Sequence, residues 1–134
     1  MVVYVLDTNI CIYIINQKPV QVRDKFASTS LHDLAISSIS LFELDAGARK
    51  GSQADANLDK LTRFASLITV LAFDAAAARE AGRLRQHLRS QGTPIRDMDV
   101  LIAAHVLSLD AVVVTNNVQE FQRVPELQVE NWLN

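Results

Sequence analysis

The chain is 134 residues long, 49% hydrophobic and 21% charged, with a single cysteine and a net charge of −2. Such a length buries roughly two-thirds of the unfolded surface, so residues 1–134 read as one domain that needs no disulfide or structural metal, and the polar composition of a disordered chain is absent. No unbroken apolar run is longer than Met1 to Leu6, far short of the ~20 residues that span a membrane, and with no cleavable leader and no partner for Cys11 the expected compartment is the cytoplasm.

In chain order, Val2 to Leu6 has the pattern of a strand buried on both faces, and Thr8 or Asn9 is placed to cap a helix through Ile10 to Ile15. Pro19 opens a second helix to about Ser28. Leu34 to Ile36 is a short apolar run ending in Ser37-Ser38, followed by a helix to about Lys50 that Gly51 terminates. A helix over Ala54 to Ala65 and a strand over Ile68 to Phe73 follow. Asp74 then starts a long helix with Ala77, Ala81, Leu84 and Leu88 on one stripe, stopped before Gly92 and Pro94. Asp97 to Leu109 forms a further helix whose Met98, Leu101, Ile102, His105 and Leu109 share a face. Ala111 to Val114 and Leu127 to Val129 complete the strands. Short apolar strands alternating with helices predict an α/β fold, an open parallel sheet covered on both faces, in which ligands bind beyond the carboxyl ends of the strands.

Polar residues follow those ends. Asp7-Thr8-Asn9 closes the first strand, Ser37-Ser38 the second with Glu43 a turn further on, and Thr115-Asn116-Asn117 the fourth; Asp99 joins them if its helix starts at the same edge. Asp7 carries the strongest signal, because a carboxylate directly after a buried strand pays a desolvation cost and Thr8 or Asn9 could cap the helix without it. Glu43 is ambiguous, since Ser40-Leu41-Phe42-Glu43 matches a capping box with Ile39 and Leu44 as its staple. Asp97 and Asp99 both favour a helix start, and two residues apart they point about 200° from each other. One of the two reads as a cap. Carboxylates gathered at one sheet edge would make an oxygen-rich site for Mg²⁺ or Mn²⁺, with the chemistry of a phosphodiesterase. Nothing competes with it: Cys11 and His105 read as buried core residues, and neither zinc spacing, a glycine-rich phosphate loop nor a G-x-S-x-G elbow occurs. With no global positive field, any polyanion would need a local patch. Arg79, Arg83, Arg85, Arg89 and Arg96 offer one, or else a solvated helix face.

Four segments in this order, Val5-Leu6-Asp7-Thr8-Asn9, Ile36-Ser37-Ser38-Ile39 through Glu43-Leu44 with Gly47-Ala48, Gly92-Thr93-Pro94-Ile95 with Asp99 and Ile102-Ala103-Ala104-His105, and Val114-Thr115-Asn116-Asn117 through Glu120-Phe121, resemble the PIN domain of VapC-type toxins. The ending Arg123 to Leu127 with Glu130-Asn131-Trp132 is similar to the subgroup of enteric bacteria and their relatives. The resemblance implies a three-layer α/β/α sandwich and a Mg²⁺- or Mn²⁺-dependent endoribonuclease, the toxin of a type II toxin–antitoxin pair. A VapB-like antitoxin inserting near the acidic site would silence it, and initiator tRNA, cut in the anticodon loop, would be the substrate. It assigns Asp7, Glu43 and Asp99 as metal-binding and catalytic acids, with Asp99 preferred to Asp97. Thr8 and Asn9 support them, and Thr115 and Asn117 fall where a fourth, variable polar contribution arises. It also implies a homodimer and a toxin–antitoxin hetero-oligomer.

Two departures stand out. Many relatives carry glycine at the position of Arg96 and no acid at Asp97; Arg96 is expected either to contact RNA phosphate, with Arg85 and Arg89, or to pair with Asp97. Asn117 replaces an acid, which points to one ion in the resting protein. Two other readings remain at the level of sequence: a catalytically silent PIN-like binding module, and a phosphomonoesterase, which Asn9 disfavours because an acid is usual two residues after such a nucleophile.

Overall fold

A computed structural model describes residues 2–133; Met1 and Asn134, the ends of the expected domain, lie outside the described residues. Five parallel strands, β1 (Tyr4–Leu6), β2 (Leu34–Ser37), β3 (Thr69–Leu71), β4 (Val112–Val114) and β5 (Gln128–Glu130), form one sheet in the order β3-β2-β1-β4-β5. From β1 the chain winds outward through β2 and β3 and then crosses back to β4 and β5, so the winding reverses between β1 and β4. That reversal opens a crevice at the carboxyl edge.

Seven helices pack against this sheet: α1 (Thr8–Asn16), α2 (Val20–Ser28), α3 (Ser38–Ala48), α4 (Ala54–Leu67), α5 (Ala75–Ser90), α6 (Asp97–Leu109) and the short α7 (Val118–Phe121). Alternation along each strand divides the core in two. Val5 and Val113 face a cluster that includes Ala81, Leu84 and Leu88 of α5 and Ile102, Ala103 and Val106 of α6. Leu6, Leu34, Ile36 and Val114 face the opposite cluster, with Ile10 and Ile14 of α1, Val22 of α2 and Leu61 and Phe64 of α4. The central strands β1, β2 and β4 are thus buried on both sides, as continuous apolar runs require of a covered parallel sheet, while the edge strands β3 and β5 are partly exposed. This is the expected three-layer α/β/α sandwich. Among the described residues no helix is long and apolar enough to cross a membrane.

Several local expectations need correction. Asp7 itself caps α1, its Oδ1 accepting from the Ile10 N–H at 2.9 Å, while neither Thr8 nor Asn9 does so. Asp7 has the extended backbone of a cap, and Thr8 is already inside the helix. The capping box at Ser40 to Glu43 does not form: α3 starts three residues earlier, capped by Ser37, whose Oγ accepts from the Ile39 N–H at 3.0 Å. Neither Asp97 nor Asp99 caps α6, since Arg96 occupies that position. Helix α3 ends at Ala48, three residues short of Gly51, which turns the chain toward α4 with φ of 78°. The stripe expected on α6 is also too narrow: Val100, Ala103, Ala104 and Val106 are buried while Leu109 is exposed. A helix held between the sheet and neighbouring helices is apolar nearly all round.

Candidate metal-dependent active site

The carboxyl ends of β1 and β4 meet at Asp7 and Thr115. Asp7 follows β1 directly, is 4% exposed, and uses one oxygen to cap α1. Its other oxygen accepts a short hydrogen bond from the Thr115 hydroxyl, and Thr115 Oγ1 in turn accepts from the Asn117 N–H at 2.9 Å. Burial pushes the Asp7 carboxyl above its ordinary range and the Glu43 charge adds to this; the Thr115 and Ile10 donors only partly offset it. Asp7 therefore combines the two roles that the sequence had set against each other, helix cap and buried acid.

Glu43 reaches the same edge from the second turn of α3. The early start of that helix places Ser40 inside it, buried, and turns Glu43 toward α1, where Thr8 Oγ1 lies 2.7 Å from Glu43 Oε1 and 3.2 Å from Ser40 Oγ. Asp99 enters from the first turn of α6, buried, while Asp97 points to solvent and its Oδ1 meets Arg85 Nε at 3.4 Å. Desolvation raises the Asp99 carboxyl to about 6, with Arg96 opposing and the neighbouring Glu120 carboxyl reinforcing. Glu120 moves the other way. Its burial is outweighed by the Arg96 backbone N–H, the Asp99 carboxyl and the Asn117 amide, which hold it below the usual range.

Asp7, Thr8, Asn9, Glu43, Arg96, Asp99, Asn117 and Glu120 line one open cleft of about 320 Å³. Thr115 sits behind it, fully buried. Two of these contributions were not foreseen. Glu120 closed the fourth segment without a role assigned to it; it lies three residues after Asn117, one turn further on, and its Oε1 accepts from the Arg96 N–H at 2.8 Å and its Oε2 from Asn117 Nδ2. Arg96 was expected on RNA phosphate or on Asp97. Instead its guanidinium lies among the acids, with Nη2 3.3 Å from Glu43 Oε2 and 3.1 Å from Asp99 Oδ1, and Nε 3.4 Å from Asp99 Oδ2. The remaining arginines do not form one patch with it: Arg85 pairs with Asp97 and Arg83 with Glu80, and Arg85 and Arg89 lie on exposed positions of α5 outside the cleft.

His105 is buried in α6, its Nδ1 2.8 Å from Ser37 Oγ and its ring edge-on to Phe73, with burial lowering its basicity. Cys11 is fully buried and its thiol is pushed well up by desolvation and the Asp7 charge. Both are core residues, as their neighbours in sequence had indicated.

The donors in the cleft are carboxylate, hydroxyl and amide oxygens, with no sulfur or imidazole, which is the chemistry of a hard divalent ion such as Mg²⁺ or Mn²⁺. As they stand, no three His, Cys, Asp or Glu side chains among the described residues are close enough together to enclose an ion. The Arg96 guanidinium lies between Glu43 and Asp99 and pairs with both. By its chemistry the donor set fits such an ion.

The chain as a whole is similar to known proteins. Residues 4–127 match the PIN domain family. The chain is 43% identical over 132 residues to the tRNA(fMet)-specific endonuclease VapC of Shigella flexneri, covering 98% of this chain and 99% of that protein. It is 40% identical over 131 residues to the ribonuclease VapC2 of Rickettsia felis, covering 97% and 98%. Among solved structures it superposes on the DNA-bound VapBC of Salmonella typhimurium with a TM-score of 0.93 at 41% identity, over 98% of this chain and 99% of the other.

Proposed function

The chain belongs to the VapC branch of the PIN-domain family, and from that membership we propose that it is the toxin of a type II toxin–antitoxin pair, a divalent-metal-dependent endoribonuclease acting on initiator tRNA in the anticodon loop. Residues 1–134 would be one ribonuclease domain. The observation that carries this reading is the pairing of two buried carboxylates, Asp7 and Asp99, with Glu43 and Glu120 in an open cleft where the winding of the sheet reverses. Three or four acids in one place are unfavourable to the fold on their own and become favourable around a dication.

Asp7 and Asp99 would hold the ion directly, with Glu43 as a further ligand or as the group that orients the attacking water. A bound Mg²⁺ or Mn²⁺ supplies Lewis acidity, making water nucleophilic near neutral pH and drawing charge from the phosphodiester. The protein's own part is preorganisation. Thr115 and the Ile10 N–H fix both oxygens of Asp7 before any ligand arrives, and Thr8 engages Glu43 Oε1 while Oε2 faces the cleft and the Arg96 guanidinium. Glu120, bonded to the backbone of Arg96 and to the Asn117 amide, ties together the two segments that carry them. Asn9, exposed at the mouth, is placed to donate to a phosphate oxygen, and Arg85 and Arg89 on α5 would bind the RNA backbone farther out.

An antitoxin of the VapB type would cover this cleft. The surface beside Glu43 suits such a partner: Ile12, Ile15, Leu44 and Leu61 line an apolar groove that opens next to the acid, and Ile12 and Phe42 are exposed at its side. Initiator tRNA and elongator methionine tRNA, each incubated with the protein and Mg²⁺ and mapped at the ends of the products, test the substrate. One cut in the anticodon loop of the initiator, lost on addition of chelator, is the expected result. Equal degradation of both RNAs, or no product, would remove the assignment.

A further inference from the structure

Arg96 is rooted firmly at its backbone, and its side chain is held at its tip alone. Its backbone N–H is held by Glu120 Oε1 at 2.8 Å, the preceding Ile95 packs against the core, and Arg123 fixes the Pro94 carbonyl at 3.0 Å. Its side chain, by contrast, is 59% exposed, yet one nitrogen, Nη2, bridges Glu43 and Asp99, two of the acids expected to hold the ion. Neither carboxylate has another cation within ion-pair distance among the described residues. The guanidinium thus stands where positive charge is required, and the three side chains cannot keep this arrangement while the acids close around a dication.

Building on the ribonuclease reading, we infer that Arg96 is an internal counter-ion that competes with the divalent metal for Glu43 and Asp99, so that the metal-free protein is held in a closed, inactive arrangement and the ion must displace the guanidinium. Because the side chain is tethered at the start of α6, its effective concentration at the acids is set by the fold rather than by the solution. A site that is free of the guanidinium in about one molecule in ten binds its ion about tenfold more weakly than an open one. The exposed stem lets the head swing to solvent without disturbing the core.

Mn²⁺ titration of the full chain by calorimetry, for the unmodified protein, Arg96→Gln and Arg85→Gln, tests this. Arg85→Gln removes the same charge from a guanidinium that pairs with Asp97 and touches none of the acids in the cleft, and so reports the general electrostatic effect. The expected result is about tenfold tighter Mn²⁺ binding by Arg96→Gln and a change under about twofold in Arg85→Gln. Melting temperature gives a second readout: Arg96→Gln should lose stability in chelator and recover it in saturating Mn²⁺, whereas a merely structural role would lower both. Should Arg96→Gln not fold, Arg96→Lys, which keeps the charge but loses the fork that bridges two carboxylates, should still bind Mn²⁺ more tightly than the unmodified protein. Equal affinity in Arg96 and Arg85 variants would overturn the inference and leave the ribonuclease reading intact. Absence of Mn²⁺ uptake by every protein would overturn both.

Discussion

Replacing Asp99 by asparagine should make the metal-free protein more stable. Asp99 is buried, and its carboxyl is raised from 3.8 to about 6. Between those values the native state holds a proton that the unfolded state has released, so this group favours folding below about pH 4 and that contribution is lost as pH rises through 6. A rise from 3.8 to about 6 corresponds to roughly 3 kcal/mol at pH 7.5, at ~1.4 kcal/mol for each tenfold change in acidity. Asparagine keeps the shape, carries no charge, and can donate to Glu120 as the protonated acid does. Urea unfolding in chelator should therefore show Asp99→Asn more stable by up to about 3 kcal/mol at pH 7.5, roughly 10 °C in melting temperature, with the advantage vanishing toward pH 4. Added Mg²⁺ should stabilise only the unmodified protein. A variant less stable than its parent at pH 7.5 would refute this reasoning, because it would mean that Arg96 more than compensates the buried charge.

The other predictions concern the groups around the acids. Thr115→Val, which removes the hydroxyl donated to Asp7, should cost about 1–3 kcal/mol in urea unfolding and raise the Mg²⁺ concentration needed for half-maximal cleavage. Glu120→Gln should weaken Mn²⁺ binding about 10–100-fold in calorimetry without altering the circular dichroism of the fold, since Glu120 holds the residues that carry the cleft rather than the core. His105→Ala should lose about 2–4 kcal/mol of stability while the folded fraction keeps its specific activity, because His105 faces Ser37 and Phe73 and not the cleft. Arg85→Ala or Arg89→Ala should weaken RNA binding and lower its salt slope by about 1 with metal affinity unchanged; an unaltered slope would place the RNA backbone elsewhere.

The layers of the fold could be read from patterns that tertiary structure reinforces. Val2 to Leu6, Leu34 to Ile36 and Ala111 to Val114 are apolar throughout because both faces of the sheet are covered, and the stripe of Ala77, Ala81, Leu84 and Leu88 marks the buried face of α5. Boundaries were less legible. The Ser40 to Glu43 box satisfies a local rule, yet Ser37 caps α3 because the chain leaves β2 there and its Oγ also meets His105 from a distant helix. At the site, Asp7, Glu43 and Asp99 stood out as acids at the ends of elements. Glu120 did not, since it lies inside the last motif with no strand end beside it and reaches the cleft only through the turn of α7. Arg96 was visible as a departure, but whether its side chain turned to Asp97 or to Asp99 depends on the rotation of α6 about its axis, which the register of buried residues alone decides.

Cleavage of a purified tRNA pool, mapped to the nucleotide, with Mg²⁺ or with chelator, by this protein and by identically prepared Asp7→Asn and Asp99→Asn, tests the central claim most directly. One tRNA cut at one position, with metal only and by the unmodified protein only, is the predicted result. Identical behaviour of all three preparations would contradict it, leaving Asp7 as a helix cap, Asp99 as a structural acid and the cleft as a binding surface without chemistry.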